Sequence, residues 1–228
     1  MAAQTQQTRL SGKKSFWGMR IVDQNTGRHI HEQSYKWYLD GTLRPLLFNR
    51  ATIYGPYVKP GMRVLDVGCG AGFNALGMAR LVGETGLIVA ADIQQAALDE
   101  LERRARKQDL FDVVYIHKCG ETGLGVEGRY DFANAFWMLH ETPDAKTFLR
   151  ELFGLLKPGA RLLVAEPRFH VSPEQFRAEL EAARHAGFSI AARPRIRMSH
   201  AVILERPAIP IRKTQEPAHP ANRLFVAN

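Results

Sequence analysis

The residues best placed to do chemistry stand in one run, Val64-Leu65-Asp66-Val67-Gly68-Cys69-Gly70-Ala71-Gly72-Phe73. A short apolar stretch leads into three glycines spaced two apart, and glycine there lets a ligand approach the backbone at the start of a following helix. The spacing is Gly-x-Gly-x-Gly, not the Gly-x-Gly-x-x-Gly of dinucleotide sites. Asp66 closes an otherwise apolar stretch, where a carboxylate needs a cationic or donor partner. A ligand's ammonium would serve, and a pyrophosphate would be repelled. Asp92 ends the next apolar run, twenty residues after Gly72, and an acid there can accept both hydroxyls of a ribose. These features describe a ligand with a ribose and an ammonium and no pyrophosphate. Four titratable residues follow later apolar runs: His140 and Glu141, then Glu166 and His170.

The elements that must position these groups alternate. Apolar runs at 62–67 (MRVLDV), 87–92 (LIVAAD), 113–117 (VVYIH), 130–136 (YDFANAF), 161–166 (RLLVAE), 188–192 (FSIAA) and 200–205 (HAVILE) read as strands, and the fifth follows a Lys157-Pro158-Gly159 turn. Helical spacing lies between them. Leu98, Leu101 and Ala105 share one face, as do Phe148, Leu152 and Leu155. Ser172-Pro173-Glu174-Gln175 has the order of a cap, a first-turn proline and a capping-box Gln, opening a helix that ends near Gly187. Alternating strands and helices imply a parallel sheet covered on both faces. The link between the last two strands is too short for a crossover helix, so those two should run antiparallel.

The chain of 228 residues is 45% apolar, enough for one substantial core. No apolar run approaches the roughly 18 residues of a membrane span, and the N-terminus lacks the pattern of a secretory signal. Two cysteines, Cys69 and Cys119, make neither a disulfide framework nor a four-cysteine zinc site, which fits a reducing, cytoplasmic setting. The net charge of +8 is carried by the ends: residues 1–24 hold four Lys/Arg against one acid, and residues 193–228 hold seven against two. Such ends attract phosphate non-specifically or are simply solvated. Residues 1–15 read as disordered and residues 16–57 as a helical, aromatic cover segment. Residues 58–206 form the folded domain, and residues 207–228 a Pro-rich tail. His29-x-His31-Glu32 has no further ligands placed by spacing, so no metal is assigned.

The segment around Asp66–Gly72 resembles motif I of class I S-adenosylmethionine-dependent methyltransferases, and Lys157-Pro158-Gly159 resembles the family's Lys-Pro-Gly before its fifth strand. The resemblance spans about residues 60–205 and looks closest to small-molecule enzymes of the quinone-biosynthesis type. It implies a doubly wound α/β fold, a seven-stranded mostly parallel sheet in the order 3-2-1-4-5-7-6 with the last strand antiparallel. It also implies S-adenosyl-L-methionine as methyl donor. By carry-over, Gly68, Gly70 and Gly72 line the methionine part with Asp66 near its ammonium. Asp92 holds the ribose, Ile93 packs on adenine, and the loop around Gly120-Glu121-Thr122 flanks the adenine, with Glu121 the nearest acid for its amino group. Asn134 to Phe136 lie under the sulfonium. The chain has neither an Asn/Asp-Pro-Pro-Tyr/Phe after the fourth strand nor a Pro-Cys nucleophile. Both absences argue against two chemistries of base methylation.

Methyl transfer from a sulfonium is an in-line displacement in which the protein supplies alignment and a dry site. An acceptor can also need a base. His140 and Glu166 are the catalytic candidates, because neighbouring fourth and fifth strands would make them converge. The alternative for His140 is a cap or a packing partner of Trp137, and for Glu166 an ion pair with an arginine. His170 reads as an ordinary loop residue. Trp17, Tyr35, Trp37, Tyr38, Phe48 and Tyr54 either line the acceptor pocket or seal the sheet edge. Arg193, Arg195 and Arg197 share one face of an extended stretch, to bind an anionic acceptor or to keep an edge soluble. The leading reading is a methyltransferase acting on a small-molecule acceptor. The alternatives are an RNA or protein methyltransferase using the basic C-terminal region, and a non-catalytic partner protein that binds S-adenosylmethionine. A nicotinamide oxidoreductase is disfavoured by Asp66 and the glycine spacing.

Overall fold

The structure, a computed structural model, describes residues 48–120 and 123–208. Expectations for residues 1–15, most of the cover segment, Glu121, Thr122 and nearly all of the Pro-rich tail fall outside the described residues, as do His29 and His31. Among the described residues the order is α1 (Arg50–Tyr54), β1 (Arg63–Val67), α2 (Phe73–Val82), β2 (Leu87–Asp92) and α3 (Gln95–Lys107). It continues with β3 (Val114–Lys118), β4 (Tyr130–Phe136), α4 (Ala145–Leu155), β5 (Leu156–Pro167), α5 (Pro173–Ala186), β6 (Ser189–Ala192) and β7 (Ser199–Glu205).

The seven strands form one sheet in the order β3-β2-β1-β4-β5-β7-β6. The β1–β2, β1–β4, β2–β3 and β4–β5 pairs are parallel, and β7 is antiparallel to both β5 and β6. This is the fold read from the resemblance. The chain order reverses between β1 and β4, so the carboxyl ends of those strands open a crevice, the place where such sheets bind ligands.

Alternate residues of each strand feed two cores. On one face Leu65, Val67, Ala133, Leu162 and Val164 pack with Phe148, Leu152 and Phe176 of α4 and α5. On the other, Val64, Ile88, Phe132 and Leu163 pack with Tyr54, Leu76, Met78 and Leu101 of α1, α2 and α3. Continuous apolar strands are what a sheet covered on both faces requires. The helix ends follow local chemistry. Asp144 caps α4 by accepting from the Lys146 and Thr147 amides, and Ser172 and Gln175 form the reciprocal capping box at the start of α5.

One boundary differs from the sequence reading. β5 begins at Leu156, ahead of the Lys157-Pro158-Gly159 turn. Tyr130 pairs with Leu156 and Phe132 with Arg161, so the turn is a bulge looped out of a strand that resumes beside the same neighbour. Gly159 takes φ +80°, the conformation the bulge requires.

Two glycines of the loop after β1 are fixed by their neighbours as well as by φ. A Cβ on Gly68 (φ +65°) would stand 2.8 Å from Met138 Cβ, and one on Gly72 (φ +84°) would stand 2.2 Å from Leu101 Cδ1. Gly72→Ala should therefore destabilise the fold by about 1–3 kcal/mol, the scale of overpacking and a strained φ. Urea unfolding reads this directly, and an unchanged midpoint would contradict the packing described.

Candidate functional site

The loop from Gly68 to Gly72 is tied to the end of β2. The amides of Gly68 and Cys69 both donate to Ala91 O, at 2.8 and 3.2 Å. Gly70 N donates to Asp92 Oδ2 at 2.8 Å, and Gln94 N donates to Asp92 Oδ1 at 2.9 Å. Asp92 is thus a buried carboxylate that holds the two loops flanking the crevice. Burial pushes its pKa up, and the backbone donors pull the other way. A carboxylate offers about four acceptor positions; the Gly70 and Gln94 amides take two, and the Ile93 amide also faces it. The remaining lone pairs are acceptors to which a ribose diol could donate, and Gly68, Gly70 and Gly72 all take positive φ in the loop beside them. Ile93 follows, half-buried, and packs against the core on the α4–α5 face.

Asp66 sits on the α1–α2 face, 1% exposed. The donor that a buried carboxylate needs is supplied by Asn134 on β4, whose Nδ2 donates to Asp66 Oδ1 at 2.7 Å. Tyr54 of α1 donates to Asn134 Oδ1 at 3.3 Å, so a buried chain runs from α1 through β4 to β1. The bond to the Asp66 carboxylate is worth about 1.5–3 kcal/mol, and the neutral Tyr54–Asn134 bond about 0.5–1.5 kcal/mol. The sequence reading placed Asn134 near the ligand but missed its bond to Asp66. The polar residue inside the apolar run YDFANAF was the available signal.

Phe136 is buried at the end of β4, with its ring against Phe48 at 5.5 Å and Trp137 at 5.6 Å. Trp137 follows at φ +61°, an unusual conformation for a non-glycine residue. Its backbone amide donates to Ala165 O, and its indole donates to Ser199 Oγ at 2.9 Å, so β5 and β7 hold the turn. The turn sets up the next contact, because His140 and Glu166 meet. His140 Nδ1 hydrogen-bonds Glu166 Oε2, and Glu166 Oε1 accepts the Leu139 amide at 2.9 Å. Glu166 is fully buried with both oxygens engaged, so it reaches the crevice only through His140. Its partner is His140 and a backbone amide, not the arginine of the alternative reading.

The His140 side chain is 21% exposed, and its Nε2 carries no hydrogen bond among the described residues. Burial works to lower its pKa. The hydrogen bond and charge of Glu166, with the charges of Glu141 and Glu179, outweigh burial and raise it. The His170 ring lies 5.9 Å from that of His140, so this loop residue also belongs to the cluster. Glu179 of α5 was not foreseen, because it sits in a charged helical run that gives no sequence signal. Its Oε2 is buried without a hydrogen-bond partner among the described residues, in a small cavity lined by Leu139, Leu149, Val164 and Phe176.

Cys69 and Cys119 are buried free thiols. Burial, helped by the charges of Asp92 and Asp66, pushes Cys69 well up, and burial pushes Cys119 to about 12. Both remain neutral thiols at ordinary pH, packed as small core residues. Among the described residues no three His, Cys, Asp or Glu side chains are grouped to hold a metal ion.

Residues 58–202 match the family model for a methyltransferase domain. The chain is 34% identical over 121 residues to the ubiquinone/menaquinone biosynthesis C-methyltransferase UbiE of Vibrio vulnificus, covering 53% of this chain and 46% of that protein. It is also 34% identical over 128 residues to a 2-phytyl-1,4-naphtoquinone methyltransferase of Synechococcus elongatus, covering 56% and 55%. The chain spans about half the length of the curated relatives it matches. Among solved structures, a SAM-dependent methyltransferase from Aquifex aeolicus superposes with TM-score 0.68 at 26% identity, over 76% of this chain and 98% of that one. A methyltransferase from Pyrococcus furiosus shares the fold, with TM-score 0.58 at 15% identity over 78% and 98%.

The Glu179 carboxyl has a measurable consequence. Burial, with the Glu166 charge raising it and His140 opposing, pushes it to about 8 from an ordinary 4.5. The folded chain then keeps a proton that the unfolded chain releases. The associated stability is present below about 4.5 and is lost as pH rises through 8. Glu179→Gln removes this loss. Between pH 5 and pH 8.5 the native chain should lose on the order of 2 kcal/mol more than the variant, allowing for partial solvent access. Parallel stability profiles from chemical denaturation would refute the assignment.

Proposed function

The chain belongs to the methyltransferase-domain family, with the class I S-adenosylmethionine-dependent fold, and from that premise we propose that it methylates a small, planar, largely apolar acceptor of the quinone type. One observation carries the reading. The polar crevice around Asp92 and the ring of His140 stand at the same carboxyl edge of the sheet, joined by the Phe136–His140 turn. The relatives named for quinone methylation support the acceptor class. The half-buried and exposed aromatic rings of Trp137 and Phe169, 5.4 Å apart, offer apolar surface beside His140.

S-adenosylmethionine, when bound, supplies a methyl group already activated by its sulfonium. Gly68, Gly70 and Gly72 would line its methionine part and Asp92 its ribose. Asp66, held by Asn134, would set the negative potential facing its ammonium. Ile93 and Phe136 would provide its apolar walls. The remaining chemistry is handling of the acceptor's proton. A hydroxyl or ring carbon that takes the methyl group must release a proton, and His140 Nε2 is the group to receive it. Glu166, bonded to Nδ1, fixes the ring and stabilises the imidazolium that forms, so it acts as a positioning residue.

Calorimetric titration should find S-adenosylmethionine and S-adenosylhomocysteine bound and NAD not bound. Asp92→Ala should weaken the first two by about 1–3 kcal/mol, roughly 5- to 150-fold. Unchanged affinity would remove Asp92 from the site. With a quinol acceptor, kcat should rise with pH along a limb above the ordinary histidine range, because neutral His140 is the active form and its pKa is raised. Glu166→Gln should move that limb to lower pH, since the imidazolium loses its counter-charge, while His140→Gln should abolish it. A limb that both variants leave in place would rule out His140 as the proton acceptor.

A further inference from the structure

Among the described residues three large apolar side chains are exposed, and two of them, Phe169 (59% exposed) and Met198 (43%), share one rim. Phe169 belongs to the loop after β5, and Met198 to the turn before β7. Pro167 pairs with Ser199 in the sheet, Arg168 N donates to Met198 O at 2.9 Å, and Arg168 Nε donates to Ser199 O at 3.0 Å. The two loops therefore form one rigid tip. Met198 takes φ +58°, a strained conformation for a non-glycine side chain, in a turn that leaves it outside while Ile196 is buried. Strain that exposes an apolar side chain calls for a functional account.

The surroundings of the tip are basic. Arg168, Arg193, Arg195 and Arg197 are all exposed. No acidic residue occurs from 167 to 173 or from 182 to 204. The tip also adjoins the crevice, because Phe169 contacts Trp137 at 5.4 Å and His170 at 4.9 Å, and His170 faces His140.

We infer that this rim docks on an anionic phospholipid surface, with Phe169 and Met198 entering the interface and the arginines meeting the headgroups. Apolar anchors combined with several cationic side chains are the chemistry of interfacial binding. A second copy of the chain fits less well, since a two-fold contact would set these arginines against one another. Nucleic acid also fits less well. Met198 has no ring face for a base to stack on, which leaves Phe169 as the single aromatic of the exposed apolar pair. Docking would turn the mouth beside His140 towards the bilayer, where an apolar acceptor partitions. That purpose rests on the proposed acceptor class, but the binding itself is tested without turnover.

The experiment is flotation of the full chain with vesicles of phosphatidylcholine alone or enriched in phosphatidylglycerol, at low and high salt. Binding to the anionic vesicles should exceed binding to the neutral ones by about tenfold or more and should fall with salt. The double variant Phe169→Ser/Met198→Ser should lose about tenfold, the scale of two apolar anchors. So should Arg195→Ala/Arg197→Ala. S-adenosylmethionine affinity, measured without vesicles, is the check that each variant is folded. If it fails in the native chain as well, the functional reading falls and the docking result still stands. Absent vesicle binding, or binding that the folded double variant retains in full, would overturn the inference. So would the double variant abolishing self-association or single-stranded RNA binding instead of vesicle binding.

Discussion

A buried carboxylate at the end of a strand must find donors, and in this fold it finds them on a neighbouring strand or its exit loop. Asp92 on β2 takes the Gly70 amide from the loop after β1. Glu166 on β5 takes the Leu139 amide and the His140 ring from the turn after β4. Asp66 on β1 takes the Asn134 amide across the β1–β4 pair. Each bond joins two elements that meet only because the sheet has the order it has. The floor of the crevice is thus laced together by three acids whose burial makes those bonds obligatory. Removing one partner would strand a buried charge, which costs far more than the bond contributes when it is made.

This lacing divides the labour between the faces of the sheet. Asp66 and Asn134 point to the α1–α2–α3 face, where Tyr54 extends their chain. Glu166 points to the α4–α5 face, where Leu139 and Glu179 share a small cavity. The turn from Phe136 to His140 links the two sides, with Phe136 packed in one core and Met138 and Leu139 in the other. Trp137 there adopts a left-handed φ that costs on the order of 1–3 kcal/mol. Bonds to Ala165 and Ser199 hold it, so β5 and β7 offset the strain. Ser199 also holds the tip that exposes Met198. One polar residue at the start of β7 therefore connects the crevice turn with the rim, and Trp137 and Met198, two of the three described non-glycine residues with positive φ, lie beside it.

Much of this was legible in the chain alone. Seven apolar runs, the capping box at Ser172 and the short link before β7 depend on local periodicity and turn chemistry, which a single segment carries within itself. The glycine spacing with Asp66 and Asp92 was legible for the same reason: strand, loop and helix are contiguous, so type and position speak together. The Lys157-Pro158-Gly159 segment was read as a turn in isolation, and only its pairing with β4 makes it a bulge inside β5.

What the chain alone could not settle is who partners whom across long separations. Asn134 and Asp66 lie 68 residues apart, His140 and Glu166 lie 26 apart, and Trp137 and Ser199 lie 62 apart. Glu179 looked like any charged residue of an exposed helical face until α5 packed it beside Glu166. Phe169 and Met198 looked unrelated until the β5–β7 register put their loops side by side. Periodicity and spacing determined which segments would be strands and where a ligand could approach. The order and register of those strands decided which buried charges would meet, because a hydrogen bond depends on distance in space and not on distance along the chain.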